Sequence, residues 1–303
     1  MEHNHSHGVS ADADRRYLRI ALVLLSGFLV VEVIVGLAAG SVALLADAGH
    51  LLSDVAAIAA SLWALNLAAR PATGAWTYGW KRAEILSAAG NGITLLVVSA
   101  VITVETVQRL IDPPPVAGLA VLLVALLGIV VNLAATVALS RANRSSLNVQ
   151  GAFAHVVTDL YAFVATAAAG ALILATGYRR ADPIASLVVV ALMLRAAYGL
   201  LRDSGRVLLE AAPEGVDLAD LRSHLLGVEH VTEVHDLHAW TVTSDLPAVS
   251  AHVVVTDECF SSGHCPQILD QLQACLVGHF DVEHSTFQLE PAGHAEHEVG
   301  QHA

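Results

Sequence analysis

Two five-residue stretches carry the chemistry of this chain. "HLLSD" sets His50 and Asp54 four residues apart, and "HVVTD" sets His155 and Asp159 at the same spacing. On a helix, residues four apart share one face, roughly 6 Å apart along the axis. Both pairs lie inside long apolar runs. An ionisable group at a bilayer centre costs at least about 2.5–3.5 kcal/mol, so such groups face a bundle interior and mark ion pathways. Of sixteen histidines in the chain, only these two fall in the apolar runs. Packed together, the two helices would offer two imidazoles and two carboxylates, a tetrahedral donor set that suits Zn²⁺. A single copy would serve as well for a packing hydrogen bond or a proton relay; the repetition favours a shared dication. Asp47, three residues before His50, is a further metal candidate on the same stretch.

The elements that position these residues are mostly apolar. The 303 residues are 55% hydrophobic and 14% charged, against roughly 25% charged in ordinary soluble domains. Six runs near the length of a bilayer span can be read, at roughly 17–40, 42–67, 83–110, 116–140, 149–177 and 183–201. Gly, Pro and charge clusters such as "DPPP" (112–115) and "RANRSS" (141–146) separate them. With the N-terminus inside, ten Lys/Arg fall on the inner side and three on the outer, which favours cytoplasmic termini. The N-terminal "MEHNHSHGVSADADRR" lacks the pattern of a signal peptide.

Beyond the last run the periodicity changes. "DLADLRSHLLG" (217–227) and "HCPQILDQLQACLVGHF" (264–280) read as helices. Residues 231–242, 247–256 and 285–290 read as strands, with "SDLP" as a turn. The order αββαβ suits a small ferredoxin-like domain. The expected fold is therefore a polytopic all-α membrane domain of six transmembrane helices followed by a cytoplasmic α+β ferredoxin-like domain. Its parts are a His-containing tail (1–16), a transport domain (17–203), a regulatory domain (204–291) and a His-rich tail (292–303), with the short stretches "HNHSH" and "HAEHEVGQH" expected to be disordered.

Charge is uneven. From Ser204 onward there are sixteen Asp/Glu and two basic residues, so the acidic excess lies almost wholly in the C-terminal third. Such a surface repels nucleic acid and concentrates cations, so no nucleic-acid partner is expected. All three cysteines lie in this third, which suits a reducing compartment. Cys259, His264 and Cys265 in "CFSSGHC" are irregularly spaced donors, open to metal binding or to burial and helix capping.

"LLADAGHLLSDVAA", "YGWKRAEILSA" and "HVVTD" resemble the cation diffusion facilitator family of zinc transporters. "HDLHAWTV", "SAHV" and "EHSTFQLEP" resemble the cytoplasmic domain of its zinc-specific bacterial branch. The resemblance covers nearly the whole chain. It implies a homodimer of six-span protomers in the bacterial inner membrane, in contact with lipid, that exchanges Zn²⁺ for protons by alternating access. It further implies His235, His252 and Glu290 as a regulatory zinc site, with His284 a further candidate. His238, three residues from His235, is expected on the opposite strand face. No organic cofactor is expected, and the chain is not expected to be an enzyme: an intramembrane hydrolase would need an open metal position and a base, and no H-E-x-x-H occurs. A Cd²⁺/Co²⁺ exporter of the same mechanism and a membrane zinc sensor that moves no ions stand as alternatives.

Overall fold

Glycine, proline and charge clusters divide the first two thirds of the chain into six long helices. They are α1 (His7–Ala39), α2 (Val42–Ala68), α3 (Ala83–Ile111), α4 (Gly118–Leu139), α5 (Leu147–Thr176) and α6 (Ala181–Leu208). The structure, a computed structural model, describes residues 7–39, 42–111, 118–142, 146–178, 180–244, 246–282 and 284–294. Some side chains on these helices, including those of Asp47 and His50, lie outside the described residues. So do most of the two terminal His clusters. α1 begins ten residues before the hydropathic boundary at Tyr17, and α6 runs seven past Leu201. Hydropathy marks where an apolar environment ends, whereas "ADADRR" and "RDSGRVL" hold no proline and continue the helix.

Packing inside this unit is inverted relative to a water-soluble protein. Leu18, Ala21, Leu25 and Phe28 of α1 recur at helical spacing and pack on Leu51, Ile58, Leu62 and Leu65 of α2. Ala135 and Leu139 of α4 and Val149, Ala152 and Val156 of α5 join the same core. Polar Glu32, Ser61, Asn91, Asn132, His155 and Asp159 are also buried, while Val23, Val30, Ile34, Ile93, Val97, Val101, Val104 and Val130 face outward. An apolar exterior around a polar interior is what hydrocarbon solvent selects. Among the described residues, four stretches are long and apolar enough to cross a membrane: Asp14–Ala38, Ala83–Ile111, Leu122–Leu139 and Leu147–Thr176.

Two features fix α2 against α5. Asn148 Nδ2 donates to the Ser61 carbonyl (2.9 Å), and Asn91 Nδ2 on α3 donates to Ser61 Oγ (3.2 Å). Seven residues along α2 in one direction and along α5 in the other, Asp54 meets His155. Two contacts spaced by two turns on each helix, about 10.5 Å, define an antiparallel pair in one register. α5 itself is delimited by Ser146, whose Oγ accepts from Val149 N–H, and by Gly177 at φ 72°, whose N–H bonds Ile173 O. Ser146 Oγ also donates to Glu84 Oε1 of α3 (2.5 Å). Further along α5, Gly128 lets α4 approach closely: a Cβ there would lie 2.6 Å from the Phe163 ring. That ring stacks edge-on against Phe28 of α1 at 5.7 Å.

The chain divides into two compact units between Ser204 and Gly205. The second contains α7 (Leu218–Leu226), β1 (Val231–Thr241), β2 (Pro247–Val255), α8 (Glu258–Ser262), α9 (Cys265–Phe280) and β3 (His284–Glu290). The sheet order is β1-β2-β3, antiparallel between β1 and β2 and parallel between β2 and β3. Leu221 and Leu225 of α7 and Ile268, Leu272 and Leu276 of α9 cover one sheet face, meeting Val234, Val249, Ala251, Val253 and Val255. The short α8 has no counterpart in the sequence expectation; its five residues are too few for periodicity to register.

Replacing Asn148 with Ala removes the donor to the Ser61 carbonyl. A buried hydrogen bond contributes about 0.5–1.5 kcal/mol, and bilayer values average near 0.6. The purified Asn148→Ala protein should unfold with that much lower stability in a reversible denaturation series; an unchanged midpoint would remove the strut from the account.

Candidate metal centres

Asp54, His155 and Asp159 converge inside the helical unit. All three are buried, and one ligand atom from each lies within 4.8 Å of the others. Helix periodicity places His155 and Asp159 on one face of α5, while the α2–α5 register brings Asp54 to them. His155 Nε2 pairs with Asp54 Oδ1, and His155 Nδ1 meets no hydrogen-bond partner among the described residues. Thr158 Oγ1 donates to the Ala154 carbonyl (2.7 Å), so it leaves the neighbouring donors free of competition. Two carboxylates this close repel; charges about 4 Å apart interact by about 4 kcal/mol at an effective dielectric of 20. A proton or a dication between them relieves that repulsion. His50 stands one turn before Asp54 on α2, and its side chain, like that of Asp47, lies outside the described residues. Three of the four residues singled out by the paired motifs thus meet.

The second group sits on the sheet face away from α7 and α9. Ala251 and Val253 of β2 face the helices, so strand alternation turns His252, between them, to the other side. His235 is its cross-strand partner, and their rings lie 5.1 Å apart. Glu290 at the end of β3 reaches both: Oε1 is 2.8 Å from His252 Nδ1 and Oε2 is 3.3 Å from His235 Nε2. Gln288 Nε2 donates to Glu290 Oε1 (2.8 Å) and orients it. Two imidazoles and a carboxylate with their heteroatoms turned on one another are a donor set for a borderline-soft dication.

Asp236 joins this group, and sequence reasoning missed it. Its Oδ2 is 3.7 Å from His235 Nδ1, and it shares a ligand cluster with His235 and His252. Adjacent strand residues ordinarily face opposite ways, but β1 carries a bulge between His235 and His238, with Asp236 at φ 45°. The same bulge corrects the expectation for His238. It pairs with Ser250, which shares the face of His252, so His238 stands on the face of His235 and not the opposite one. His284 does not join the group within one protomer: it pairs with Ala248 at the far end of β3 from Glu290, about 20 Å along the strand. The donors of "CFSSGHC" also stay apart. Cys259 Sγ is buried against Thr256 Oγ1 (3.2 Å), Cys265 Sγ contacts the Cys259 carbonyl, and His264 bonds Ser262.

Comparison with known proteins places the chain in a family over most of its length. The family model for the cation efflux transmembrane domain matches residues 18–209, and that for the cation efflux protein cytoplasmic domain matches 213–292. The "Cadmium, cobalt and zinc/H(+)-K(+) antiporter" of Bacillus subtilis is 38% identical, over 97% of this chain and 93% of its own. The "Zinc transporter ZitB" of Escherichia coli is 38% identical, over 96% and 93%. The "Metal cation efflux system protein CzcD" of Cupriavidus metallidurans is 36% identical, over 99% and 93%. A solved structure of the metal-bound C-terminal domain of the CzcD transporter aligns at 33% identity with 25% of this chain and 99% of its own, with a TM-score of 0.23.

Asp236 supplies the test of the sheet group. Asp236→Ala in the detergent-solubilised full chain should weaken zinc binding there about tenfold to a hundredfold, the range for a partner that orients a ligand. His284→Ala should leave it unchanged. Competition titration against a zinc chelator reads both.

Proposed function

The chain belongs to the cation efflux family, and on that premise we propose that it exports Zn²⁺, with Cd²⁺ and Co²⁺ as alternative cargo, from the cytoplasm in exchange for protons. The observation that carries the reading is the convergence of Asp54, His155 and Asp159 from two helices inside an apolar unit. By the repeated motif, His50, one turn before Asp54 in sequence, is the fourth ligand of this proposal. The names borne by its relatives, a zinc transporter and a cadmium, cobalt and zinc antiporter, support the same cargo. The six helices α1–α6 are six spans, with both termini in the cytoplasm of a bacterium, by the ten-to-three division of basic residues. The match to the family's cytoplasmic dimer domain supports a homodimer.

Coupling follows from the atoms. When His155 donates through Nε2 to Asp54, that nitrogen carries a proton; a metal ion bound between Nε2 and Asp54 needs the same lone pair. Metal and proton therefore compete for the site, and the side from which each arrives sets the direction of exchange. Moving Zn²⁺ outward against an inside-negative potential costs about 4.6 kcal/mol per 100 mV, from about 2.3 per elementary charge. Each proton moving inward returns about 2.3, plus about 1.4 per unit of pH gradient. At 100 mV and one pH unit a single proton returns about 3.7 kcal/mol, short of that cost, whereas two return about 7.4 and exceed it.

His235, His252, Glu290 and Asp236 form a cytoplasmic site for a regulatory zinc ion. Sixteen acidic and two basic residues follow Ser204, so two such domains side by side repel. Bound zinc neutralises part of that charge and draws the pair together, tying transport to cytosolic zinc.

Metal flux into everted proteoliposomes, compared for Zn²⁺, Cd²⁺, Co²⁺ and Mn²⁺ with and without a pH gradient, tests the proposal. Zinc should accumulate only with the gradient, and Asp54→Ala or Asp159→Ala, each removing a ligand, should cut the rate at least about tenfold. An Asp54→Ala protein transporting at the wild-type rate would refute the assignment of the site.

A further inference from the structure

Outside both groups, the helical side of the C-terminal unit carries a pair of histidines that no role described so far uses. His224 ends α7 and His279 ends α9, and their ring centroids are 4.9 Å apart with a tilt of 47°. The Nδ1 of His224 lies 2.9 Å from the Asp220 carbonyl, and the Nδ1 of His279 lies 3.2 Å from the Cys275 carbonyl. A carbonyl oxygen only accepts, so both Nδ1 atoms carry the hydrogen. In each neutral ring that leaves the lone pair on Nε2, the tautomer a metal ligand needs. Asp220 Oδ1, 3.3 Å from the same His224 Nδ1, adds the carboxylate that typically backs a ligating imidazole. Phe280 meets the His224 ring edge-on at 5.2 Å and holds its plane.

The spacing of the two rings matches what a shared ion requires. A tetrahedral ion with Zn–N bonds of about 2.0–2.1 Å sits about 3.2 Å from each ring centre, which puts two bound rings about 5.2 Å apart. His235 and His252, the imidazoles of the sheet group, stand at 5.1 Å, and His224 and His279 at 4.9 Å. Another histidine pair, His230 and His264, is stacked at 6.0 Å and 7°. Lone pairs in the planes of parallel rings do not converge on one point, so that pair lacks the property.

We propose that His224 and His279 form a separate surface site that takes a divalent transition-metal ion of the zinc class through their two Nε2 atoms, with water in the remaining positions. Imidazole donors select Zn²⁺, Co²⁺, Ni²⁺ or Cu²⁺ over Mg²⁺ or Ca²⁺. His279 is exposed and His224 half-buried, so the site exchanges directly with solvent. With two protein ligands it is weaker and faster to release than the sheet group with its imidazoles and carboxylates. The assignment stands on this geometry and not on the transport reading.

Equilibrium dialysis of the full-length, detergent-solubilised protein with Zn²⁺ tests it. His224→Gln and His279→Gln should each weaken the same zinc equivalent at least about tenfold, and the double variant should lose no second one. In a His235→Ala/His252→Ala background that equivalent should persist. His279→Cys keeps a zinc donor at the position and should retain it, a rescue that a purely structural ring would not show. Zinc stoichiometry and affinity unaltered in both Gln variants would overturn the proposal, as would loss of the equivalent in the sheet-group background alone.

Discussion

Charged groups in hydrocarbon must be satisfied by other groups of the protein, and the helical unit is organised around that constraint. Asp54 on α2 and His155 and Asp159 on α5 are buried together. Neither helix alone could carry its carboxylate through a bilayer cheaply. Their mutual pairing holds two segments about a hundred residues apart in sequence at one register. The Asn148–Ser61–Asn91 bonds repeat the solution two turns away with neutral groups. Gly128 and Phe163 then set how closely α4 can press on α5. Apolar residues left over point outward, where lipid is the matching solvent.

The two candidate donor groups are built in opposite ways. In the helical unit, donors are few and deeply buried, and the Asp54–His155 pair doubles as a helix–helix contact. On the sheet, donors crowd one face of an acidic domain that already attracts cations. The first arrangement suits an ion that must pass through and be displaced by protons. The second suits an ion that stays while conditions hold and leaves when its concentration falls.

Much of this was legible in the sequence, for identifiable reasons. The His50/Asp54 and His155/Asp159 pairs stand out because helix periodicity and an apolar surrounding are both local signals. The αββαβ order could be read from alternation and turn residues, and the observed strands fall within a residue or so of the expected ones. Helix ends could not: the polar beginning of α1 and end of α6 continue the backbone spiral after hydropathy falls away. The Asn148 bond to Ser61 joins residues 87 apart and has no local trace. His238 was misplaced, and Asp236 passed over, by counting in twos along β1. That rule assumes an unbroken ladder, and the bulge breaks it between His235 and His238.

That bulge turns the strand into two halves of opposite parity. Upstream of it the even-numbered Val234 faces the helices, whereas downstream the odd-numbered Leu237 and Ala239 do. Removing a single residue there would not be a small loss at a surface. The ladder would close up, and everything after it would rotate by half a turn, so that the apolar residues lining α7 and α9 and those on the metal-facing side would exchange places. Length at this one point is as strictly constrained as residue identity, and a one-residue deletion would cost the domain its hydrophobic interior before it cost a ligand.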